Sequence, residues 1–274
     1  MFDNIPTRHG KALDGLRKAG GLARDILLKC AAMVQPGVTT GEIDRFAASE
    51  IKAQGATSAF LNYKVGPRRF PGNICIGLNE VVIHGIGGDE SNFVIKAGDI
   101  VKIDVGIIKD GWIGDNALTV PVPPINPDVQ KLLSATEDAL EVAIDHARDG
   151  LMLGDLCHSV EAYVRKFNFT VVRDFVGHGV GRKLHEKPEV PNFGTKGAKP
   201  RLRAGMSIAI EPMINLGAEA TQTLGDGWTV VTMDRKASAH YEHMVLITEG
   251  DPEVLTSRPR TNPRLIEPLN RTVA

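Results

Sequence analysis

The chain has 274 residues, 42% of them hydrophobic, and its 32 basic and 33 acidic side chains leave a formal charge of −1. That composition supports a sizeable core and excludes a disordered polyelectrolyte, and it carries no overall footprint for nucleic acid or an acidic membrane. Cys30, Cys75 and Cys157 form no CxxC pair, the N-terminus lacks the basic and apolar regions of a secretory signal, and no apolar run reaches membrane-spanning length, so a soluble cytoplasmic protein is expected.

An amphipathic helix is predicted over residues 9–34, with Leu13, Leu16, Ala23, Leu27, Cys30 and Val34 near one face and Gln35-Pro36-Gly37 as its stop. Thr39 and Glu42 have the spacing of a capping box. They start a second helix with Ile43, Phe46, Ala47 and Ile51 turned inward. Residues 56–72 mix glycine, proline and aromatics, which reads as a loop able to wall a pocket, with Pro67-Arg68-Arg69 as solvated charge. Short strands follow at 73–77 and 80–85, the second closing on His84. Taken alone, that histidine reads as structural.

Lys96-Ala97-Gly98-Asp99 turns into an apolar strand over 100–108, and Lys109-Asp110-Gly111 reverses it into a strand over 112–120. Each carries an acid, Asp104 and Asp115, and antiparallel pairing brings the two close. A buried carboxylate must be paired, protonated or on a metal. Two side by side repel unless a cation or proton lies between them. A lysine or arginine partner is an equal alternative at this point.

Asn126-Pro127 caps and opens a third helix with Val129, Leu132, Leu133, Leu140, Ile144 and Ala147 on its apolar face, ended by Gly150. A fourth carries Leu156, Val160, Val164 and Phe167. The halves echo each other. Residues 37–43 resemble 150–156 at an offset of 113, and 96–104 resemble 203–211 at an offset of 107. A duplicated helix–helix–strand unit follows, with Glu211 in the place of Asp104 and a site at the junction. Glu211 ends the apolar run 207–210, and Glu242 heads an apolar strand. The stretch 176–186 is glycine-rich and holds His178 and His185. By itself it reads as a surface loop; beside the acids, its glycines read as room for metals and a peptide. The tail from 250 is an ordered wrap or a loose end.

Asp104, Asp115, His178, Glu211 and Glu242 thus form a candidate set with four negative charges, which two divalent ions balance. Oxygen-rich ligation with one imidazole suits Mn²⁺, Fe²⁺, Co²⁺ or Zn²⁺ better than Mg²⁺ or Ca²⁺. Five ligands for two ions imply bridging carboxylates and open positions, the mark of a catalytic site. Bound metal lowers the pKa of water from about 15.7 to about 7. A nearby carboxylate can pass that proton to a leaving amine, and His84 and His185 remain for the substrate. Two-metal hydrolysis is the chemistry. The glycine spacing at 177–181 does not match a dinucleotide fingerprint, and no Gly-x-Ser-x-Gly elbow occurs.

These blocks, in order, are Asn79-Glu80-Val81-Val82-Ile83-His84-Gly85, Val101–Gly106, Gly114-Asp115, Gly177–Gly181, His185-Glu186-x-Pro188, Ile210–Met213, Asp226–Thr229 and Tyr241-Glu242-His243. Together they resemble the signature blocks of the type I methionine aminopeptidases over nearly the whole chain, to about residue 256. The resemblance implies an α+β pita-bread fold, two pseudo-symmetric helix–helix–strand halves forming a curved antiparallel sheet with helices on its outer face, as one catalytic domain over 1–274. It implies removal of the initiator methionine from nascent proteins with a small second residue, using two divalent ions (Co, Mn, Fe or Zn). Asp115 and Glu242 would bridge, Asp104 would complete one site, and His178 with Glu211 the other. Glu211 would shuttle the proton, His84 would lie near the amide nitrogen, and His185 would bind the scissile carbonyl. Tyr63, Phe70, Cys75 and Trp228 would hold the methionine side chain.

The chain departs from the family at Asn116, usually Thr or Cys, at Leu184, at Phe60, and in extra residues between Tyr63 and Phe70; its tail beyond 256 is also longer. The expected partner is the N-terminal methionine of nascent chains, with a monomeric state and no membrane or specific nucleic acid; contact of Pro67-Arg68-Arg69 or the tail with a ribosome is left open by the sequence. Two rival readings are an Xaa-Pro aminopeptidase-like enzyme, which usually needs a larger N-terminal domain, and a non-catalytic pita-bread protein that binds polypeptide or RNA.

Overall fold

The two halves repeat the same chain reversals, while their helix starts differ: Thr39 caps the second helix of the first half and Asn126 the first helix of the second. The structure, a computed structural model, describes residues 5–265. Helix α1 spans Lys11–Ala32 and α2 spans Thr40–Ala53. The Thr39 side chain accepts from the Glu42 N–H, and the Glu42 carboxylate accepts from the Thr39 N–H at 2.8 Å, the capping box read from the sequence. Asn126 accepts from the Asp128 N–H at 2.8 Å and opens α3, Pro127–Asp145; α4 follows over Leu153–Val164, with Phe167 in a short 3₁₀ turn after it. Leu16, Ala23, Leu27 and Cys30 of α1 and Ile43, Ala47 and Ile51 of α2 are buried, as their spacing predicts. No helix among the described residues is long and apolar enough to cross a membrane.

Strand Ile100–Lys109 pairs antiparallel with Trp112–Pro121 and, on its other edge, with Cys75–Leu78 and Thr57–Ser58. In the second half Ser207–Ile210 lies between Gly177–Gly179 and His243–Leu246, with Glu186–Val190 and Glu253–Val254 at the edges. Helices pack on the outside. The predicted curved sheet is therefore built as separately bonded ladders. Pro212 marks one break: it separates Ser207–Ile210 from Met213–Asn215, which pairs instead with Ser238–His240. Proline lacks the N–H a ladder needs.

The duplication is legible in hydrogen bonds. Thr39 bridges Val94, and 113 and 107 residues later Met152 bridges Arg201. Gly37 N–H donates to Ile95 at 2.9 Å, and Gly150 N–H to Leu202 at 3.0 Å. Gly98 N–H donates to Val122 at 2.7 Å, and Gly205 N–H to Ile247 at 2.9 Å. The halves meet where the Glu242 N–H donates to the Ala117 carbonyl at 2.9 Å. The tail is an ordered wrap as far as 265; the extended ending expected over 257–274 lies outside the described residues from 266 onward.

Candidate metal centre and peptide pocket

Register puts the first two acids on one face. Asp104 opposes Ala117 and Gly106 opposes Asp115, so the acids sit two pairs apart along the ladder, diagonal neighbours on the same side of the hairpin. In the second half Ile210 opposes His243, which places Glu211 and Glu242 just past the end of that ladder, facing the first hairpin. His178 opposes Ala209 on the neighbouring strand. All five candidate ligands are buried.

The segment around His178 is not the surface loop that its glycines suggest. Gly177–Gly179 is a central strand, and a Cβ at Gly179 would lie 2.1 Å from the Lys187 carbonyl oxygen, one at Gly177 2.4 Å from that of Ala209. Those glycines admit neighbouring strands, not metals or substrate. His178 Nδ1 lies 3.0 Å from the Gly179 carbonyl, which can only accept, so Nδ1 carries the proton and Nε2 presents its lone pair. That lone pair faces Glu211 Oε1 at 3.6 Å and Asp115 Oδ2 at 3.8 Å.

Acceptors facing acceptors need a cation or a proton between them. Ligand atoms of Asp115, His178 and Glu242 all lie within 4.8 Å of one another. Asp104 Oδ1 and Asp115 Oδ1 are buried and have no hydrogen-bond partner among the described residues. Burial, and then the charge of neighbouring acids, holds Asp104, Glu211 and Glu242 well above the usual carboxylate range; burial carries Asp115 to about 7. Burial first, and His185 second, pushes His178 down to about 3, which keeps it a neutral donor. No lysine or arginine side chain hydrogen-bonds or ion-pairs with these four carboxylates among the described residues, so the arginine-or-lysine alternative falls away. The donor set fits divalent metal.

The five side chains open into a cavity of about 380 Å³ that is also lined by Tyr63, Phe70, Cys75, His84, His185 and Trp228. Every residue singled out for substrate thus faces the same space as the acids. Phe60 and Leu184 line it too, so two of the departures shape the pocket; Asn116 is buried outside it, with Nδ2 3.5 Å from the Val105 carbonyl. Phe70 and Trp228 meet edge to face at 5.4 Å. The extra residues form a hairpin, Lys64–Val65 against Arg68–Arg69. Arg68 is not merely solvated charge: it donates to the Gly227 carbonyl and packs 5.8 Å from the Trp228 ring. His84 adopts φ +58°, a conformation few non-glycine residues take, and packs edge to face on Phe175.

Phe175 and His240 are among the residues at the site that the sequence did not single out. Phe175 lines the cavity, hidden in an irregular stretch with no periodic signal. His240 Nε2 lies 3.6 Å from Glu211 Oε2 and is buried without a hydrogen-bond partner. Its signal was available, since two residues before Glu242 is the same face of an extended segment.

The profile of metallopeptidase family M24 matches residues 14–249. The methionine aminopeptidase of Clostridium perfringens is 46% identical over 252 residues, 92% of this chain and 98% of that protein. The crystal structure of methionine aminopeptidase from Rickettsia prowazekii superposes with a TM-score of 0.88 at 38% identity, covering 93% of this chain and all of that one. A prolidase from Pyrococcus furiosus reaches a TM-score of 0.73 at 21% identity over 66% of its own length, a likeness of fold alone. The α+β pita-bread architecture and a divalent-metal hydrolase site agree with the geometry above. The chain belongs to the methionine aminopeptidases of metallopeptidase family M24.

Proposed function

We propose that this chain removes the N-terminal methionine from nascent polypeptides whose second residue is small. The observation that carries the reading is one cavity in which four buried acids and a neutral histidine adjoin a wall of Phe60, Tyr63, Phe70, Cys75 and Trp228. An apolar wall of that kind suits an unbranched thioether. Asp104, Asp115, His178, Glu211 and Glu242 would hold two divalent ions of the Mn, Fe, Co or Zn type. Such ions supply positive charge at the scissile carbonyl and acidify a water toward neutrality.

The chain's own groups then divide the work. Glu211 takes the proton from the attacking water and delivers it to the leaving amine, with His240 beside its second oxygen. His185 donates to the scissile carbonyl oxygen and stabilises the charge that grows there. His84, held neutral by burial and by His185, orients the substrate amide. The same proposal makes residues 1–274 one catalytic unit, monomeric and cytoplasmic, with the hairpin arginines available to the ribosome.

Hydrolysis of Met-Ala-Ser against Ala-Pro peptides by protein loaded with Mn²⁺ or Co²⁺ tests the reading. Release of methionine from Met-Ala-Ser alone is expected. Preferential cleavage of Ala-Pro would replace the substrate by that of an Xaa-Pro enzyme, and no turnover of either with any divalent ion would favour a binding protein.

A further inference from the structure

The family match ends at residue 249, yet the chain continues past the site as an ordered strap. The strap runs antiparallel to the Glu242 segment and meets its residues in reverse order. Glu253 pairs with Leu246 and Val254 with Val245. The Leu255 N–H donates to the Met244 carbonyl at 2.9 Å, and Thr256 Oγ1 accepts from the Met244 N–H at 3.1 Å and lies 2.9 Å from His243 Nδ1. Arg258 then reaches Glu242 itself: Nη1 donates to the Glu242 carbonyl at 3.1 Å and Nη2 to the Ala117 carbonyl at 2.6 Å. Ala117 is the residue whose carbonyl also accepts from the Glu242 N–H across the seam between the halves.

Past Arg258 the strap is fastened to α3. Arg260 bonds Asp138 and Glu141 at 2.7 Å each, and the Thr261 and Asn262 N–H groups donate to Glu137 at 2.9 Å. Asn262 Nδ2 also donates to the Tyr241 hydroxyl at 2.6 Å. Arg258 is thus held from both sides. A planar guanidinium is suited to two fixed carbonyls, where an ammonium would act as a single point charge.

We propose that Arg258 is a positioning residue for the metal centre: its fork fixes the Glu242 backbone against Ala117 and so sets where the Glu242 carboxylate meets Asp115 and His178. This rests on Glu242 being a metal ligand. Arg258 makes no ion pair with that carboxylate within 4.0 Å; its hydrogen bonds reach the main chain of Glu242 and Ala117, and its charge is the weakest of the influences on the carboxylate.

The test is calorimetric titration of Mn²⁺ into the metal-free full chain, compared across wild type, Arg258→Met, Arg258→Lys and Glu242→Gln, with circular dichroism as the check on folding. Arg258→Met is expected to bind Mn²⁺ about tenfold more weakly, the size typical of lost outer-shell support, and millimolar methylguanidine is expected to restore most of that affinity. Arg258→Lys, which keeps the charge without the fork, should fall between, and it carries the comparison if the methionine variant does not fold. Wild-type affinity in the Arg258 variants beside weakened binding in Glu242→Gln would overturn the strap proposal alone. A loss that methylguanidine leaves untouched would assign Arg258 to general folding and overturn it as well. Wild-type affinity in Glu242→Gln would remove the ligand reading beneath it.

Discussion

The Tyr63 phenol oxygen lies 2.6 Å from Nδ1 of His185, and the two rings meet edge to face at 5.3 Å. The second ring nitrogen of His185 is thereby left for the substrate. A phenol can donate or accept here; where it donates to Nδ1, His185 carries its proton on Nε2, the form able to donate to a carbonyl. Tyr63 therefore does two things in the proposed reaction: its ring walls the methionine pocket and its hydroxyl orients His185.

Tyr63→Phe separates these roles. The ring stays, so KM for a Met-Ala-Ser peptide should change little, while kcat should fall about fivefold to tenfold for one lost hydrogen bond. Steady-state kinetics decides; a rise in KM at constant kcat would confine Tyr63 to the pocket wall.

Glu211→Gln and His185→Ala address the chemistry directly. Each should retain the fold by circular dichroism and lose on the order of 10²- to 10⁴-fold in kcat, the scale of a removed proton-transfer or oxyanion group. Near-normal rates in both variants would sink the role assignments.

Burial, and secondarily His185, holds His84 at about 4, below its ordinary 6.5. The folded state therefore resists protonation there while the unfolded chain accepts it. The resulting stability is fully present above the unfolded value and is lost as pH falls from about 6.5 toward about 4. The loss amounts to roughly 3 kcal/mol from this group. Urea unfolding of the metal-free protein at pH 7.5 and pH 4.5, wild type beside His84→Asn, should show a steeper acid loss in wild type. Equal slopes would mean that His84 is already charged in the fold.

Metal binding should raise thermal stability, because the apo site holds mutually repelling acids and unsatisfied carboxylate oxygens. At a free Mn²⁺ concentration about 100 times Kd the gain is about 2.7 kcal/mol. Scanning calorimetry should register an upward shift of Tm that a chelator reverses, and His178→Ala should lose most of it. An unchanged Tm in saturating Mn²⁺ or Co²⁺ would argue against the cluster as a metal site.

Local chemistry explains what could be read directly from the chain. The Thr39–Glu42 box, the Asn126-Pro127 start and the hairpin at Lys109-Asp110-Gly111 depend on residues a few positions apart, so the sequence alone determined those ends. Apolar runs on either side of the Lys109-Asp110-Gly111 turn put Asp104 and Asp115 into buried strands, and the 113- and 107-residue echoes anticipated the paired bridges of the two halves. What only the tertiary structure decided depends on approaches between segments far apart in sequence. Gly177 and Gly179 are small because the Ala209 and Lys187 carbonyls crowd them, which a count of glycines cannot reveal. His240 meets Glu211 within the second half, and Arg258 meets Glu242 and, across the seam where the halves close, Ala117. His240 had a local signal in its spacing from Glu242, but an arginine in an irregular tail such as Arg258 carries none; it becomes part of the site only when folding removes water and leaves two distant carbonyls as its polar neighbours.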